Sequence, residues 1–485
     1  MTGSMEFGSA APSGGLGVTL DTTTPAVVLM LDRTAMHHGG LGAIRSLGRL
    51  GVPVYGVHDT RLAPAAGSRY LQGRWCWRPP KAAAPADPAG QHAERLRAGL
   101  ITLAERIGRR AVLIAADNAG AFFLAEHGAA LRQWYLFPDP PRELPRRLAD
   151  PYTQHQLCTE LGVPSVARAR PGSLAEAEEF ADRFGYPLVA KFAPGRRSGP
   201  GSDPRGTSLL QNRDELVRTY LACAGPLEGG VLLQEYLPRC PSQDFFFHGY
   251  CDARSRCRPG FVGIKERSYP AHAGLTSLGR WVDNAPLHAQ ATELLARLGY
   301  QGLLDLDYRW DPRDGQYKLL DFKPRLGAQF RLFSDDAGVD VVVAAHLDLT
   351  GRPIPPGSAL AGRRFLVENY DPFAALGYRR SGELSILWWL MSLRLVDETA
   401  WYARDDLAPF GLMCLRMGWR AMSPLTQRIT RGLSHGFPQN LTRTLIRPRG
   451  ADSSADAARY RPGRAGRARR KTEAAPTRQV DKVLR

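Results

Sequence analysis

The chain has 485 residues and a formal net charge of +17, with hydrophobic and charged fractions of 44% and 23%. These values are ordinary for a globular protein of about three domains with a large core. The longest apolar stretch, residues 384–393, is too short to span a bilayer, and the seven cysteines show the spacing of neither a disulfide framework nor a zinc site. We therefore expect a cytoplasmic protein.

The two ends of the chain are low in complexity. Residues 447–485 contain 12 Lys/Arg against 4 Asp/Glu and so hold 8 of the 17 net positive charges. Residues 1–24 are rich in Gly, Ser and Thr and lack the basic start and apolar run of a signal peptide. Such segments bury little apolar surface, so we expect both to be disordered. The basic tail predicts a solvated segment, with weak, salt-sensitive contact with RNA or an acidic membrane as the alternative and no specific nucleic acid as partner.

Residues 25–140 predict a Rossmann-like domain. Apolar strands at residues 25–31, 52–57 and 111–116 alternate with helices, as in a parallel βαβ sheet. A Gly-rich turn at residues 37–42 would let an anion approach the N-terminus of the next helix. The polar pair after the third strand would face the ligand crevice or cap a helix. The candidates for substrate binding here are Gly39, Gly40, Gly42, Asp117 and Asn118.

Nucleotide-binding candidates follow in residues 141–370. A strand at residues 186–192 carries one inward lysine, and the loop at residues 194–207 has the Gly, Pro and Arg composition of a flap over phosphates. A later strand ends where its backbone could hydrogen-bond an adenine, and an aspartate beyond it could reach a ribose hydroxyl. These candidates are Lys191, Gln234, Glu235, Tyr236, Leu237 and Asp244, and the next strand adds two cations, Lys265 and Arg267.

Residues 303–331 predict a β-hairpin that carries carboxylates. Asp305 and Asp307 lie on one face of the first strand, because strand side chains alternate in direction. The return strand brings Asp321 opposite Asp307, far from the turn. Oxygen ligands of this kind suit Mg²⁺, and Arg325 just beyond would hold phosphate or carboxylate oxygens. A solvated hairpin edge is the alternative.

The order of these features resembles the ATP-grasp superfamily, and within it the carboxylate–amine ligases of the D-aspartate ligase type. The resemblance covers residues 25–370. It rests on the Gly-rich first unit, Gly162-Val-Pro164, Lys191, Gln234-Glu-Tyr-Leu237, and Asp321-Phe-Lys-Pro-Arg325, which resembles the motif E-x-N-P-R.

The resemblance implies an α/β fold with an α+β nucleotide domain. A Rossmann-like pre-ATP-grasp domain (25–140) would precede a two-lobed ATP-grasp domain (141–370) and a helical C-terminal extension (371–446). In that extension, residues 384–401 and 408–433 predict amphipathic helices, which would pack on the catalytic domain or, as the alternative, make weak contact with a membrane surface.

The resemblance also implies ATP and Mg²⁺ as cofactors. An amino-acid-like carboxylate and an amine would be joined through an acyl phosphate, with release of ADP and phosphate. By position, Lys191 would contact the α- and β-phosphates, Gln234 to Leu237 would frame the adenine, and Glu235 or Asp244 would meet the ribose. Lys265, Arg267 and Arg325 would hold the transferred phosphoryl group, Asp307 and Asp321 would bind Mg²⁺, and the first domain would hold the acceptor.

Three departures from the family pattern affect this prediction. Lys323 replaces the metal-binding asparagine, both carboxylates expected to bind metal are the shorter Asp, and the helix start at residues 150–152 has no phosphate-contacting lysine. A one-metal ligase is one interpretation, and an ATP-binding homologue with reduced or no turnover is the other. A nicotinamide-dependent oxidoreductase is a further alternative, but the glycine spacing of the first domain is not G-x-G-x-x-G.

Overall fold

The computed structural model describes residues 18–32, 36–77, 90–192, 207–223, 231–238, 243–272 and 274–419. Within these residues the chain forms three β-sheets covered by helices, which confirms the predicted mixed α/β class. The predicted tail at 447–485, most of the predicted flap and residues 1–17 lie outside the described residues. The prediction of a disordered N-terminus to residue 24 is wrong for residues 18–24, because Leu20 is buried in the core there. None of the described helices is long and apolar enough to cross a membrane.

The first sheet is parallel and lies between helices. Its elements are β1 (Ala26–Leu29), α1 (His38–Arg49), β2 (Val54–His58), β3 (Leu71–Cys76), α2 (Gln91–Ile107), β4 (Ala111–Ala115), α3 (Asn118–His127) and β5 (Tyr135–Leu136). The strand order is β3-β2-β1-β4-β5. Val28 of β1 packs in one core with α1, whereas Val27 and Leu29 pack with α2 and α3 on the other face. The strands read as continuous apolar runs because both faces are buried.

The predicted Gly-rich turn is wrong, because α1 begins at His38 and includes these glycines in its first turns. A Cβ on Gly39 would lie 2.9 Å from Ala328 Cα, and a Cβ on Gly40 would lie 2.4 Å from Met30 Sδ. A Cβ on Gly42 would likewise lie 2.9 Å from Cε1 of the Phe330 ring. The missing side chains therefore allow close packing of the helix rather than a turn.

A small antiparallel sheet follows. Its region contains α4 (Leu144–Ala149), α5 (Pro151–Glu160), β6 (Arg168–Ala169), α6 (Leu174–Phe184), β7 (Leu188–Phe192), β8 (Thr207–Leu210), α7 (Arg213–Cys223) and β9 (Val231–Glu235). The strand order is β6-β9-β7-β8. Apolar residues on one face of this sheet pack against α6 and α7, which leaves the other face for polar side chains.

The third sheet is the largest of those described. Its region contains β10 (Asp244–Cys251), β11 (Cys257–Tyr269), β12 (Leu275–Trp281), α8 (Ala285–Arg297), β13 (Gly302–Asp311), β14 (Gln316–Lys323), α9 (Val341–Leu349), β15 (Arg364–Leu366), α10 (Asp371–Arg380), α11 (Ile386–Leu393) and β16 (Glu398–Thr399). The strand order is β14-β13-β10-β11-β12-β15-β16. One buried core joins this sheet and α9 to α1 of the first domain.

The C-terminal region differs from the prediction. The predicted helix at residues 384–401 ends at Leu393, and β16 then pairs in parallel with β15 at the sheet edge. Residues 408–419 are helical, and the rest of the predicted extension lies outside the described residues. Arg45 of α1 is buried against this region, where its guanidinium contacts Asp406 at 3.0 Å and donates to the Trp401 carbonyl oxygen at 2.7 Å.

Candidate active site

The carboxylates of the hairpin face one another as the sequence predicts. Strands β13 and β14 are antiparallel, and their register places Asp307 opposite Asp321 and Asp305 opposite Lys323. Directly opposite residues on antiparallel strands share one face of the sheet, within contact distance. The hairpin therefore presents three carboxylates and one ammonium group together.

Lys323 occupies the middle of these carboxylates. Its Nζ lies 2.6 Å from Asp307 Oδ2, 3.4 Å from Asp321 Oδ2 and 3.7 Å from Asp305 Oδ2. Burial alone would lower the pKa of Lys323, but the three carboxylates raise it, so the group is a permanent cation. The ammonium group thus supplies charge where a metal ion would otherwise be expected.

Lys265 of β11 completes the neutralisation of Asp307. Its Nζ lies 2.7 Å from Asp307 Oδ1, so each oxygen of this carboxylate contacts a different lysine. Burial raises the pKa of Asp307, and the charges of Lys265 and Lys323 lower it below its usual value. Asp307 is therefore ionised and fully engaged by protein cations.

Asp305 is the most buried of the three carboxylates. Its Oδ2 accepts a hydrogen bond from Arg325 at 3.1 Å, and its Oδ1 lies 3.4 Å from His248 Nε2 on β10. Burial would raise the pKa of Asp305, but Lys323, His248 and Arg325 hold it well below its usual range. Arg325 also donates to the Leu326 carbonyl oxygen, so its guanidinium is fixed between Asp305 and the backbone that follows the hairpin.

The cluster fits a metal ion poorly as a two-carboxylate site, because Lys323 stands between Asp307 and Asp321. Asp321 differs from its neighbours, since its side chain is 42% exposed and its nearest cation contact is the 3.4 Å one to Lys323. Mg²⁺ that arrives with phosphates needs only one or two protein carboxylates. Asp321 therefore fits a single such ion, and Asp307 does not in this arrangement.

A second group of polar side chains faces the cluster from the small sheet. Three of these side chains lie on one face of the small sheet: Lys191 of β7, Gln234 of β9 and Arg168 of β6. Gln234 pairs with Arg168 on one side and with Val189 on the other. Lys191 is two residues after Val189 and therefore points to the same face. Burial and the Arg168 charge lower the pKa of Lys191 to about 8, although Asp321 raises it. Arg168 also donates to the Leu320 carbonyl oxygen of β14, so this face of the small sheet lies beside the hairpin.

Arg168 connects the small sheet to α5 and to β14. It was not among the predicted site residues. Its Nε donates to Gln234 Oε1 at 3.2 Å, one terminal nitrogen donates to the Pro151 carbonyl oxygen at 2.9 Å, and the other donates to the Leu320 carbonyl oxygen. Arg168 therefore places a buried cation at the helix start that lacks a lysine. The alternation of Arg and Ala at residues 167–170 was the signal available.

The two acids predicted near a ribose both have protein partners. Glu235 accepts from the Ala167 amide at 3.0 Å and from Arg313 at 3.1 Å. Asp244 pairs with Arg309 at 2.6 Å, and Arg309 also donates to the Leu237 carbonyl oxygen at 3.5 Å. Leu237 is buried and Tyr236 is half-buried at the end of β9. The predicted adenine and ribose residues therefore lie near one another where β9 ends.

The structure separates Arg267 from the other site candidates. A β-bulge interrupts the register of β11 between Lys265 and Arg267 and changes the direction of the following side chains. Arg267 is buried, and its guanidinium donates two hydrogen bonds of 2.8 Å to Asp371 and one of 2.9 Å to Ser392 Oγ. Arg267 thus anchors the C-terminal helices, and we leave it out of the proposed site.

The first domain meets the cluster through the residues after Lys323. The Leu326 amide donates to the Ala115 carbonyl oxygen at 3.2 Å, at the carboxyl end of β4. Asp117 caps α3 by accepting from the Gly120 amide at 2.7 Å, and it also accepts from the Leu31 and Asp32 amides. The helix-cap alternative is therefore confirmed for Asp117, and its neighbour Asn118 is the first residue of α3.

A histidine that was not among the site candidates lies at this edge of the first sheet. His37 Nε2 is 2.5 Å from Asp32 Oδ1 and 3.9 Å from Asp117 Oδ2. Burial lowers the pKa of His37, but the adjacent Asp32 carboxylate raises it above its usual value. The carboxyl ends of parallel strands form the ligand crevice of such sheets, and His37, which lies between β1 and α1, is at that edge.

Comparisons with known proteins were made for sequence and for structure. No family model matches the chain. It is 23% identical over 236 residues to a D-aspartate ligase of Enterococcus faecium (strain Aus0004), which covers 45% of this chain and 54% of that protein. It is 26% identical over 202 residues to a carbamoyl phosphate synthase large chain of Thermomicrobium roseum (strain ATCC 27502 / DSM 5159 / P-2), which covers 40% of this chain and 18% of that one. The chain therefore spans about half or less of the curated relatives it matches.

Among solved structures, N5-carboxyaminoimidazole synthetase from Staphylococcus aureus, complexed with ADP, superimposes with a TM-score of 0.50 at 14% identity. The match covers 72% of this chain and 83% of that one. At this identity the likeness concerns the fold. The shared fold and the partial sequence likeness to D-aspartate ligase together confirm the resemblance of this chain to the ATP-grasp carboxylate–amine ligases.

Proposed function

We propose that the protein is an ATP-dependent carboxylate–amine ligase that forms an amide or peptide bond through an acyl phosphate. The observation that carries this proposal is that charged groups of two sheets lie close to one another. Lys191 and Arg168 belong to the small sheet, and Asp321, Lys323 and Arg325 belong to the hairpin of the large sheet or follow it. Cations from two sheets can hold a polyphosphate in line with an attacking carboxylate.

The proposed chemistry has two steps. A carboxylate oxygen of the substrate attacks the γ-phosphorus of ATP, and the bond to ADP breaks. The amine then attacks the acyl carbon, loses a proton, and displaces phosphate. Mg²⁺, held by Asp321, would neutralise phosphate charge when bound.

The chain's own residues have separate roles in this proposal. Lys191 attracts the nucleotide phosphates, while Lys323 and Arg325 stabilise the charge that develops on the transferred phosphoryl group. His37, oriented by Asp32, accepts the proton of the attacking amine. The substrates would be a small, amino-acid-like carboxylate and an amine, consistent with the likeness to a D-aspartate ligase.

Trapping of the acyl phosphate tests the proposal directly. Purified protein is incubated with ATP, Mg²⁺, hydroxylamine and pools of amino-acid carboxylates, because hydroxylamine converts acyl phosphates to coloured hydroxamates. We expect ATP-dependent hydroxamate with at least one pool and a loss of about 100-fold or more in Asp321→Ala, since this variant loses the carboxylate proposed to hold Mg²⁺, and a metal ion at a phosphoryl oxygen contributes several kcal/mol of charge stabilisation.

A matched control comes from the same hairpin. Asp314 lies in the turn and pairs with Lys318 at 3.0 Å, so Asp314→Ala should leave hydroxamate formation unchanged. Equal loss in both aspartate variants would indicate a damaged hairpin and contradict a specific role for Asp321.

One observation favours a second candidate, a nucleotide-binding protein without ligase turnover. Lys323 engages the carboxylates that would otherwise be free for metal ions. If this candidate is correct, calorimetry will detect MgATP binding that Lys191→Ala weakens, while no carboxylate pool yields hydroxamate or ADP. Lys323→Asn, which restores the asparagine of the motif, should then produce Mg²⁺-dependent ADP release that the natural protein lacks.

A further inference from the structure

The C-terminal helices expose an unusual amount of apolar surface. No residue of α11 is buried, although its sequence is Ile-Leu-Trp-Trp-Leu-Met-Ser-Leu. Leu387 and Trp388 are 67% and 66% exposed. We call the exposed set on α10, on α11 and just beyond it the apolar patch; its members are Phe373, Leu376, Ile386, Leu387, Trp388, Leu390, Met391 and Leu395. Monomeric proteins seldom expose such a surface unless it binds something.

The patch is held in a defined orientation by polar contacts on its inner side. Trp389 Nε1 donates to Asp371 at 2.8 Å, and Ser392 Oγ accepts from Arg267 at 2.9 Å. Ser385 caps the helix through the Trp388 amide. The helix therefore directs its polar contacts toward the protein and its large apolar side chains outward, which is the reverse of an ordinary surface helix.

Basic residues surround this surface. Arg379 and Arg380 end α10, Arg394 follows α11, and all three are exposed and make no ion pair with any other described residue. Two acids lie close by in sequence: Glu383, which is 2.9 Å from His272, and Asp397, which accepts from the Arg364 amide at 2.7 Å. Three arginines against these two carboxylates give the rim of the patch a net positive charge.

We propose that the apolar patch binds the surface of an anionic lipid bilayer. Trp, Leu, Ile and Met beside Arg form the composition of helices that lie in the membrane interface. An eight-residue helix spans about 12 Å, which suits burial in the plane of the headgroups. Residues 420–446 contain no Asp or Glu, and the 12 Lys/Arg of residues 447–485 add to the attraction for anionic lipid.

The same charges disfavour the other occupants of this surface. A second copy would bring two sets of rim arginines together, and the chain's own C-terminal residues carry charge of the same sign as the rim. Anionic lipid is the partner whose apolar and charged parts both complement the patch.

Vesicle flotation tests the proposal with the full-length protein. We expect the protein to float with vesicles of phosphatidylcholine and phosphatidylglycerol and to bind pure phosphatidylcholine weakly. The double variant Leu387→Glu/Trp388→Glu should lower the partition coefficient about tenfold or more, because two large apolar side chains no longer enter the interface. Arg379→Glu/Arg380→Glu should lower it for anionic vesicles only.

Leu221→Glu is the matched control, because Leu221 is 61% exposed on α7, which packs on the small sheet. It should leave flotation unchanged, and all variants should share the natural protein's thermal transition. Absence of vesicle binding, or equal binding by the Leu387→Glu/Trp388→Glu variant, would overturn the proposal. So would a dimer in solution that this double variant converts to monomer, because the occupant would then be a second copy.

Discussion

At the scale of single residues, Lys191 is a lysine whose protonation state changes near neutral pH. Burial and the neighbouring Arg168 guanidinium lower its pKa to about 8. The protonated form is the one that attracts phosphate, and a bound polyphosphate would raise the pKa again. Nucleotide affinity should therefore be constant below about pH 8 and fall by up to tenfold per pH unit above it.

Calorimetric titration with MgATP across this pH range measures the effect. Lys191→Arg keeps the charge at all pH values, so its affinity should not show the alkaline decline. Identical pH profiles for the natural protein and this variant would mean that another group controls the decline.

For Lys323 and Asp321, the sequence predicts the positions on the strands but not the contacts of the side chains. The facing of Asp307 and Asp321 follows from alternation along two strands that a short turn joins, and the structure has this register. The Lys323 ammonium group lies between three carboxylates because of the path of its side chain. Strand alternation does not specify that path. The motif showed the substitution, and the structure shows what the substituted side chain contacts.

At the scale of elements, the buried pair of Arg267 and Asp371 joins β11 to α10. Asp371 also accepts from Ser277 and Trp389, so it connects a sheet to both C-terminal helices. Arg267→Ala leaves a buried carboxylate without its main partner and should lower the free energy of unfolding by about 3–5 kcal/mol. Urea denaturation, followed by tryptophan fluorescence, measures this loss.

Arg280→Ala is the control on the neighbouring strand. Arg280 pairs with Glu266 at 2.6 Å, but its side chain is 36% exposed, so its removal should cost about 0–1 kcal/mol. If both variants lose the same free energy of unfolding, burial does not make the Arg267–Asp371 pair more important for stability than an exposed pair.

The errors of sequence prediction also arise at this scale. A β-bulge between Lys265 and Arg267 leaves no mark in an alternating pattern, and strict alternation alone would place both cations on one face. The sequence pattern predicts a turn at the glycines of α1, because what Gly39 and Gly42 pack against, residues 327–330, lies nearly 300 positions later in the chain. Local patterns predicted the strands and helices well where their partners were close in sequence and failed where a distant segment decided the packing.

At the scale of the whole molecule, Arg45 joins the first domain to the C-terminal region. It is 3% exposed and contacts Asp406, which also accepts from Ser68 Oγ at 2.8 Å and the Arg69 amide at 2.9 Å. Because α1 and the large sheet share one core, loss of this pair should destabilise the described unit as a whole. Arg45→Ala is expected to lower the free energy of unfolding by about 3–5 kcal/mol while unfolding remains a single transition.

Differential scanning calorimetry tests this expectation, with Arg49→Ala as the control from the next turn of α1. Arg49 pairs with Asp405 at 2.8 Å, but both side chains are partly exposed, at 31% and 42%. Its loss should cost about 0–1 kcal/mol. If the first domain of Arg45→Ala unfolds in a separate transition at lower temperature, the shared core does not couple the first domain to the large sheet.

The position of Arg45 also bears on biosynthesis. Ribosomes release the N-terminal part of a chain first, and all five strands of the first sheet have been made by residue 136. The partners of Arg45 at residues 400–406, and those of Gly39 and Gly42 at residues 327–330, have yet to be translated at that point. A nascent chain therefore carries an unpaired arginine and a partly uncovered helix face until residues 400–406 have been made, and only then can the native contacts of α1 be completed.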